Sequence, residues 1–185
     1  MVLTPDEQKQ LLELARASIA AAVNDEPLPP AIALTPALQK PSGVFVTLNK
    51  DHELRGCIGF IETNRPLVEA TQEAAIKAAL GDPRFDPVAS EELDQISIEI
   101  SVLAPPEKVT DIQSIEIGKH GLILELGPFR GLLLPQVATE YGWTREEFLE
   151  HTARKAGLPP KAWSYPNATL YKFTVQKFSE EDFEK

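Results

Sequence analysis

The chain has 185 residues, 43% hydrophobic and 25% charged, enough to bury a core but hardly two independent ones, so one domain with room for two lobes is expected. Subtracting 28 acidic from 18 basic side chains leaves a net charge of −10, which disfavours extended nucleic-acid binding and adhesion to anionic lipid. The single cysteine, Cys57, excludes an internal disulfide framework and a CxxC pair, and with no charged-then-apolar leader and no apolar run of about 18 residues a cytoplasmic protein outside the membrane is expected.

Thr4-Pro5-Asp6-Glu7 reads as a helix start, with Thr4 as N-cap, Pro5 at the first helical position and Glu7 completing a capping box. Leu11, Leu12, Ala15, Ile19, Ala22 and Val23 recur at helical spacing, so the helix is predicted to run to about Val23. The proline-laden stretch from Pro27 to Pro41 is read as an extended strap across the body rather than a tether. Val44 to Asn49 and Leu54 to Ile61 form a hairpin pattern around Lys50-Asp51-His52-Glu53. Thr63 to Pro66 offers cap chemistry to a helix carrying Leu67, Ala70, Ala74 and Ala78, which Gly81 ends.

Ile96 to Leu103 alternates strictly and is the clearest half-buried strand. Short strands are predicted at Ile115 to Ile117, Leu122 to Leu126 and Leu132 to Leu134, then a short helix from Pro135 to Gly142. Thr144 to Glu147 is a second capping box, opening a helix whose apolar side is Phe148, Leu149, Thr152 and Ala156. One final strand from Thr169 to Phe178 precedes an acidic tail. Hairpins and helices without a steady βαβ rhythm give an α+β class built on antiparallel sheets with packed helices. Neither GxGxxG nor GxxxxGK[ST] occurs, so a doubly wound nucleotide-binding fold is not indicated.

The segment Leu54-Arg55-Gly56-Cys57-Ile58-Gly59 is the most unusual. In a regular strand Arg55 and Cys57 share a face, and a guanidinium beside a thiol favours the reactive thiolate. Gly56 and Gly59 leave gaps where a ligand or another backbone can approach. Against this stands a packing reading, because an unpaired cysteine often serves as a small apolar filler. The polar face of the Ile96 strand is Ser97, Glu99 and Ser101, and Glu99 is a candidate partner for Arg55 or a general base. The alternative is that these three residues simply face water. Thr47 and Asn49 join this face in one hairpin register, Val46 and Leu48 in the other. His52, His120 and His151 have no zinc-ligand spacing, which leaves His120 as a candidate proton carrier. Arg84, in Asp82-Pro83-Arg84-Phe85, is a candidate binder of a carboxylate or phosphate.

The hexapeptide Leu54 to Gly59, together with Asp82-Pro83-Arg84-Phe85, Ile98 to Leu103 followed by Pro105-Pro106-Glu107, Gly131 to Ala138, Lys155 to Pro159 and Trp163, resembles the AMMECR family, whose prokaryotic members are called AmmeMemoRadiSam system protein A. The resemblance spans nearly the whole chain. It implies an α+β fold of two lobes around a cleft, and a functional region holding Arg55, Gly56, Cys57 and Gly59. It also implies work alongside a Memo-type protein and a radical S-adenosylmethionine enzyme, without naming a reaction, a substrate or a cofactor. Two readings stand. One is an enzyme acting on a small molecule or base through Cys57, with Arg55, Glu99 and His120 as assistants and Gly56, Gly59, Ser101 and Arg84 as binding residues. The other is a non-catalytic module whose cleft captures a peptide, nucleotide or partner loop.

Overall fold

A computed structural model describes residues 2–184. The described residues divide into two compact units, 2–103 with 176–184, and 104–175. Each has its own antiparallel four-stranded sheet and its own apolar cluster.

In the first unit, helix α1 (Pro5–Val23) starts at Thr4, whose side chain accepts from the Glu7 amide while Glu7 reaches back to the Thr4 amide at 2.9 Å. The strap after it has no regular structure over residues 26–34 and then forms a helical turn, α2 (Pro36–Gln39), because Pro36 presets the first helical position and Leu38 is fully buried. Strands β1 (Val44–Lys50) and β2 (Glu53–Phe60) make the hairpin. Helix α3 (Leu67–Leu80) begins at Pro66, since Thr63 is spent accepting the Arg65 amide at 3.1 Å instead of capping the helix. Strand β3 (Ile96–Leu103) pairs with β1, and the sheet order is β2-β1-β3-β8, with β8 (Val175–Ser179) returning from the chain's end.

One face of this sheet, Val44, Val46, Leu48, Ile98 and Ile100, is completely buried with the alanine-rich side of α3 and the leucines of α1. Each such branched side chain contributes about 2 kcal/mol by leaving water. Phe45, Thr47 and Ser101 on the other face are only half-buried.

The second unit holds β4 (Glu107–Lys108), β5 (Gly121–Leu126), β6 (Phe129–Leu133) and β7 (Thr169–Phe173) in the order β4-β7-β5-β6. Helix α4 (Pro135–Tyr141) stops at Gly142, whose φ of 65° is left-handed, and α5 (Arg145–Lys155) buries Phe148 and Leu149. The expected strand at Ile115 to Ile117 does not form. Ile115 is fully buried as a single anchor after a 3-10 turn at Ile112–Ser114, and the chain then coils through Gly118 at φ 89°. The expected single strand from Thr169 to Phe178 is likewise two, broken at Thr174, with one part in each sheet.

Gly131 lies against α5 so closely that a Cβ there would sit 2.5 Å from the Ala156 nitrogen and 2.8 Å from the Thr152 oxygen. Backbone atoms cannot rotate aside as a side chain does. Gly131→Ala is expected to cost about 2 kcal/mol, measured by urea unfolding with near-ultraviolet circular dichroism of the second unit's tryptophans.

Candidate functional site

The hairpin turn places both Asp51 and His52 at positive φ, 53° and 65°, the conformation a two-residue turn needs to match strand twist. The register then slips. Leu48 faces Gly56 but Asn49 faces Leu54, so Arg55 is the extra residue of a β-bulge. Taken out of the alternation, its guanidinium donates to Glu92 at 3.0 and 3.1 Å, and more weakly to the Pro87 carbonyl at 3.4 Å. Lys50 reaches the same carboxylate at 3.0 Å. Arg55 foremost, then the Ala89 amide, hold the Glu92 pKa down to about 2.

This corrects two expectations. Arg55 is spent on Glu92 and does not stand beside the thiol by strand alternation, and Glu99 pairs with Lys177 at 3.2 Å rather than with Arg55.

Glu99 does lie in the same sheet as Cys57. Cys57 faces Thr47 across one ladder and Thr47 faces Glu99 across the next, giving a row Cys57–Thr47–Glu99 on the half-buried face. Two strand spacings put the backbones at its ends about 10 Å apart. Thr47 Oγ1 and Cys57 Sγ are 3.3 Å apart, within hydrogen-bond reach for sulfur. The neighbouring row is Gly59–Phe45–Ser101. The space a Gly59 side chain would take is filled by the Phe45 ring, and Gly56, buried on the opposite face, has the Ala78 carbonyl of α3 where its Cβ would be. Both gaps are therefore filled by protein.

Arg84 and Asp82, in the turn after α3, meet the outer edge of β2. Asp82 Oδ2 accepts the Cys57 amide at 3.0 Å, and Arg84 Nη2 donates to the Cys57 carbonyl at 3.3 Å. The pair itself closes at 2.7 Å, with Asp82 only 2% exposed and Arg84 55% exposed. Together they stand where a further strand would pair, which protects an edge otherwise open to association. The Arg84 side chain, with the Cys57 and Arg84 amides helping, holds the Asp82 carboxyl well below the usual carboxylate range, against desolvation. In return Asp82 foremost keeps Arg84 charged, and the Cys57 sulfur adds to that. The guanidinium bonded to the Cys57 backbone is thus Arg84.

Asp82 was not among the sequence candidates. Its signal is the Asp-Pro-Arg spacing, because Oδ1 accepts the amide two residues on at 3.0 Å in an Asx turn.

His120 belongs to the second unit. It is 6% exposed, and its Nδ1 accepts the Glu116 amide at 3.0 Å, closing the turn through Gly118. Burial, followed by Lys172 and Lys119, pushes its pKa below 6.5. A depressed histidine contributes stability that is complete above its unfolded value near 6.5 and declines as pH falls through the folded value. His120→Asn, whose amide oxygen replaces Nδ1, is expected to keep the turn and to weaken the loss of stability between pH 7.5 and 5.5, read by urea midpoints.

Among the described residues no group of three or more His, Cys, Asp or Glu side chains is placed to hold a metal ion, and no helix is long and apolar enough to cross a membrane. The AMMECR1 family profile matches residues 12–178. The chain belongs to the AMMECR1 family.

Other AMMECR1-like chains agree in extent. A protein of Methanopyrus kandleri is 49% identical, the match covering 97% of this chain and 91% of the relative, and one of Methanothermobacter thermautotrophicus is 48% identical over 97% of each. The crystal structure of an uncharacterized protein from Pyrococcus horikoshii superposes with a TM-score of 0.78 at 45% identity, covering 93% of this chain and 90% of that one. The stretch matched by the AMMECR1 profile holds the first sheet up to Phe178, one residue short of the end of β8, and leaves outside it the start of α1 and the 3-10 segment Glu180–Phe183.

Proposed function

We propose that this AMMECR1-family chain is a binding module whose recognition surface is the half-buried polar face of the first sheet, centred on Cys57, Thr47 and Ser101. The row Cys57–Thr47–Glu99 supports this reading. It lines up a thiol, a hydroxyl and a carboxylate on a rigid sheet, with the Glu99 carboxylate held by Lys177 rather than poised over the sulfur. Such a row offers donors and acceptors for a small polar molecule or a partner's loop. The partners proposed are the Memo-type protein and the radical S-adenosylmethionine enzyme that the family resemblance implies, in the cytoplasm, where a lone half-buried thiol stays reduced.

The test is titration of each purified partner from the same organism. Cys57→Ser keeps the geometry toward Thr47 and is expected to bind within a factor of about 2 of the parent, whereas Thr47→Arg, which fills the face, is expected to abolish binding. Undiminished binding in Thr47→Arg with an unchanged circular dichroism spectrum would overturn it.

A second reading, an enzyme using Cys57 as nucleophile, has one observation in its favour, a guanidinium, Arg84, held against the backbone of the thiol's own residue at 3.3 Å. It calls for turnover that Cys57→Ser removes while binding persists.

A further inference from the structure

Where the polar face ends at Ser97, α1, the 3-10 segment Ser90–Gln95 and the 3-10 segment Glu180–Phe183 line an open groove of about 600 Å³. A second hollow of about 400 Å³ adjoins it, sharing Gln95, Ser97 and Glu181 and reaching the strained turn at His52. The groove is built rather than incidental. Arg16 donates to the Leu93 and Ile96 carbonyls at 2.6 Å each and grips Glu180, while Glu180 accepts the Ile98 amide at 3.0 Å. One arginine thereby ties three walls together.

Its floor is apolar, from Leu12, Leu93, Ile96 and Phe183. Its rim is acidic. Seven charged residues line it, two basic and five acidic. Arg16 and Glu180 neutralise each other, which leaves Lys9 against Glu13, Asp94, Glu181 and Glu184. None of those four carboxylates has a salt-bridge partner among the described residues. Carboxylates at the mouth of a low-dielectric hollow concentrate cations there. From Lys9 to Arg16 the helix rises about 10 Å, the length of roughly three extended residues.

We propose that this groove binds a short extended peptide segment of a partner protein in which basic and aliphatic residues alternate, the aliphatic side chains on the Leu12–Phe183 floor and the basic ones on the Glu13–Glu181 rim. Charge complementarity selects this occupant over an acidic or uncharged one. The groove and its adjoining hollow meet the Cys57 face only at Ser97 and Asn49, while Glu13 and Glu181 lie off the sheet, so either proposal can fail without the other.

The probe is a fluorescein-labelled, amidated hexapeptide of alternating lysine and leucine, titrated by anisotropy into the full chain at low and at 0.5 M salt. Expected are saturable binding, weakening at the higher salt, and amide shifts confined to α1, Gln95–Ile98 and Glu180–Glu184. The double variant Glu13→Lys with Glu181→Lys, both exposed positions, is expected to weaken binding at least about tenfold. Glu140→Lys, an exposed site in the second unit, is expected to leave it unchanged. Equal binding of the glutamate–leucine counterpart, an equal loss in Glu140→Lys, an unaffected double variant, or competition by spermidine as strong as by unlabelled peptide would each overturn the proposal. The last would mean that cations gather there without using the floor.

Discussion

Replacing Gly56 by alanine is expected to destabilise the first unit by about 3 kcal/mol, the upper part of the range for overpacking a filled interior. The midpoint of thermal unfolding should fall by on the order of 10 °C. The cause is specific. An alanine Cβ at this position meets the Ala78 carbonyl of α3, a backbone atom held by its helix, with the Ala78 carbon next behind it at 3.2 Å. Relief requires α3 to move off β2. That would also disturb Ala74, Ala75 and Ala79, all buried beneath the same sheet. Gly59→Ala is a milder case, because the obstacle includes the Phe45 ring, which can turn, although the Val44 carbonyl also lies close. Differential scanning calorimetry of the two variants should therefore rank Gly56→Ala as the more damaging.

Arg84→Ala is expected to cost about 3 kcal/mol at pH 7. Removing the partner of a buried charge costs about 3–5 kcal/mol, and the lower end applies because Arg84 is itself half in water. Asp82, 2% exposed, would keep the Cys57 amide as donor but lose its countercharge. The sign of the pH dependence follows from the depressed carboxyl. Stability from the Asp82–Arg84 pair is complete above the unfolded value near 3.8 and is lost as pH falls through it toward the much lower folded value. The gap between parent and Arg84→Ala should then narrow between pH 5 and 3. Asp82→Asn removes the charge at its source and should weaken the parent's acid response in the same window, with Glu92 and the other lowered carboxylates, Glu7, Glu73, Glu116 and Glu150, accounting for what remains. A gap that stays constant with pH would show that the pair contributes shape alone.

Much of the fold was legible because local signals agree with burial. Thr4 and Thr144 cap as their spacing indicates, and Ile96 to Leu103 alternates in burial as it does in sequence. The break at Thr174 was also written in the sequence, though easily missed. Phe173 and Phe178, on either side of it, are both buried yet five residues apart, a spacing that one regular strand cannot place on one face.

The site was harder to read. Reasoning from alternation placed Arg55 beside Cys57, and a single extra residue in β2 removed it. Its partner Glu92 lies 37 residues on, in a segment with no pattern of its own. The same distance effect hid Asp82, since nothing local to Cys57 announces that a carboxylate 25 residues later will take its amide. Thr47 was reachable only by choosing the hairpin register, which the bulge and the turn at Asp51 and His52 fix together.

The most direct measurement is the reaction of Cys57 with a neutral alkylating reagent in the native protein, followed by mass spectrometry across urea concentrations below the unfolding transition. A polar face open around this sulfur requires one thiol per chain to react at a rate independent of urea, and slower once Thr47→Arg fills the face. A rate that rises in proportion to the unfolded fraction, vanishing in native buffer, would place the sulfur out of reach and remove the basis for a recognition surface there.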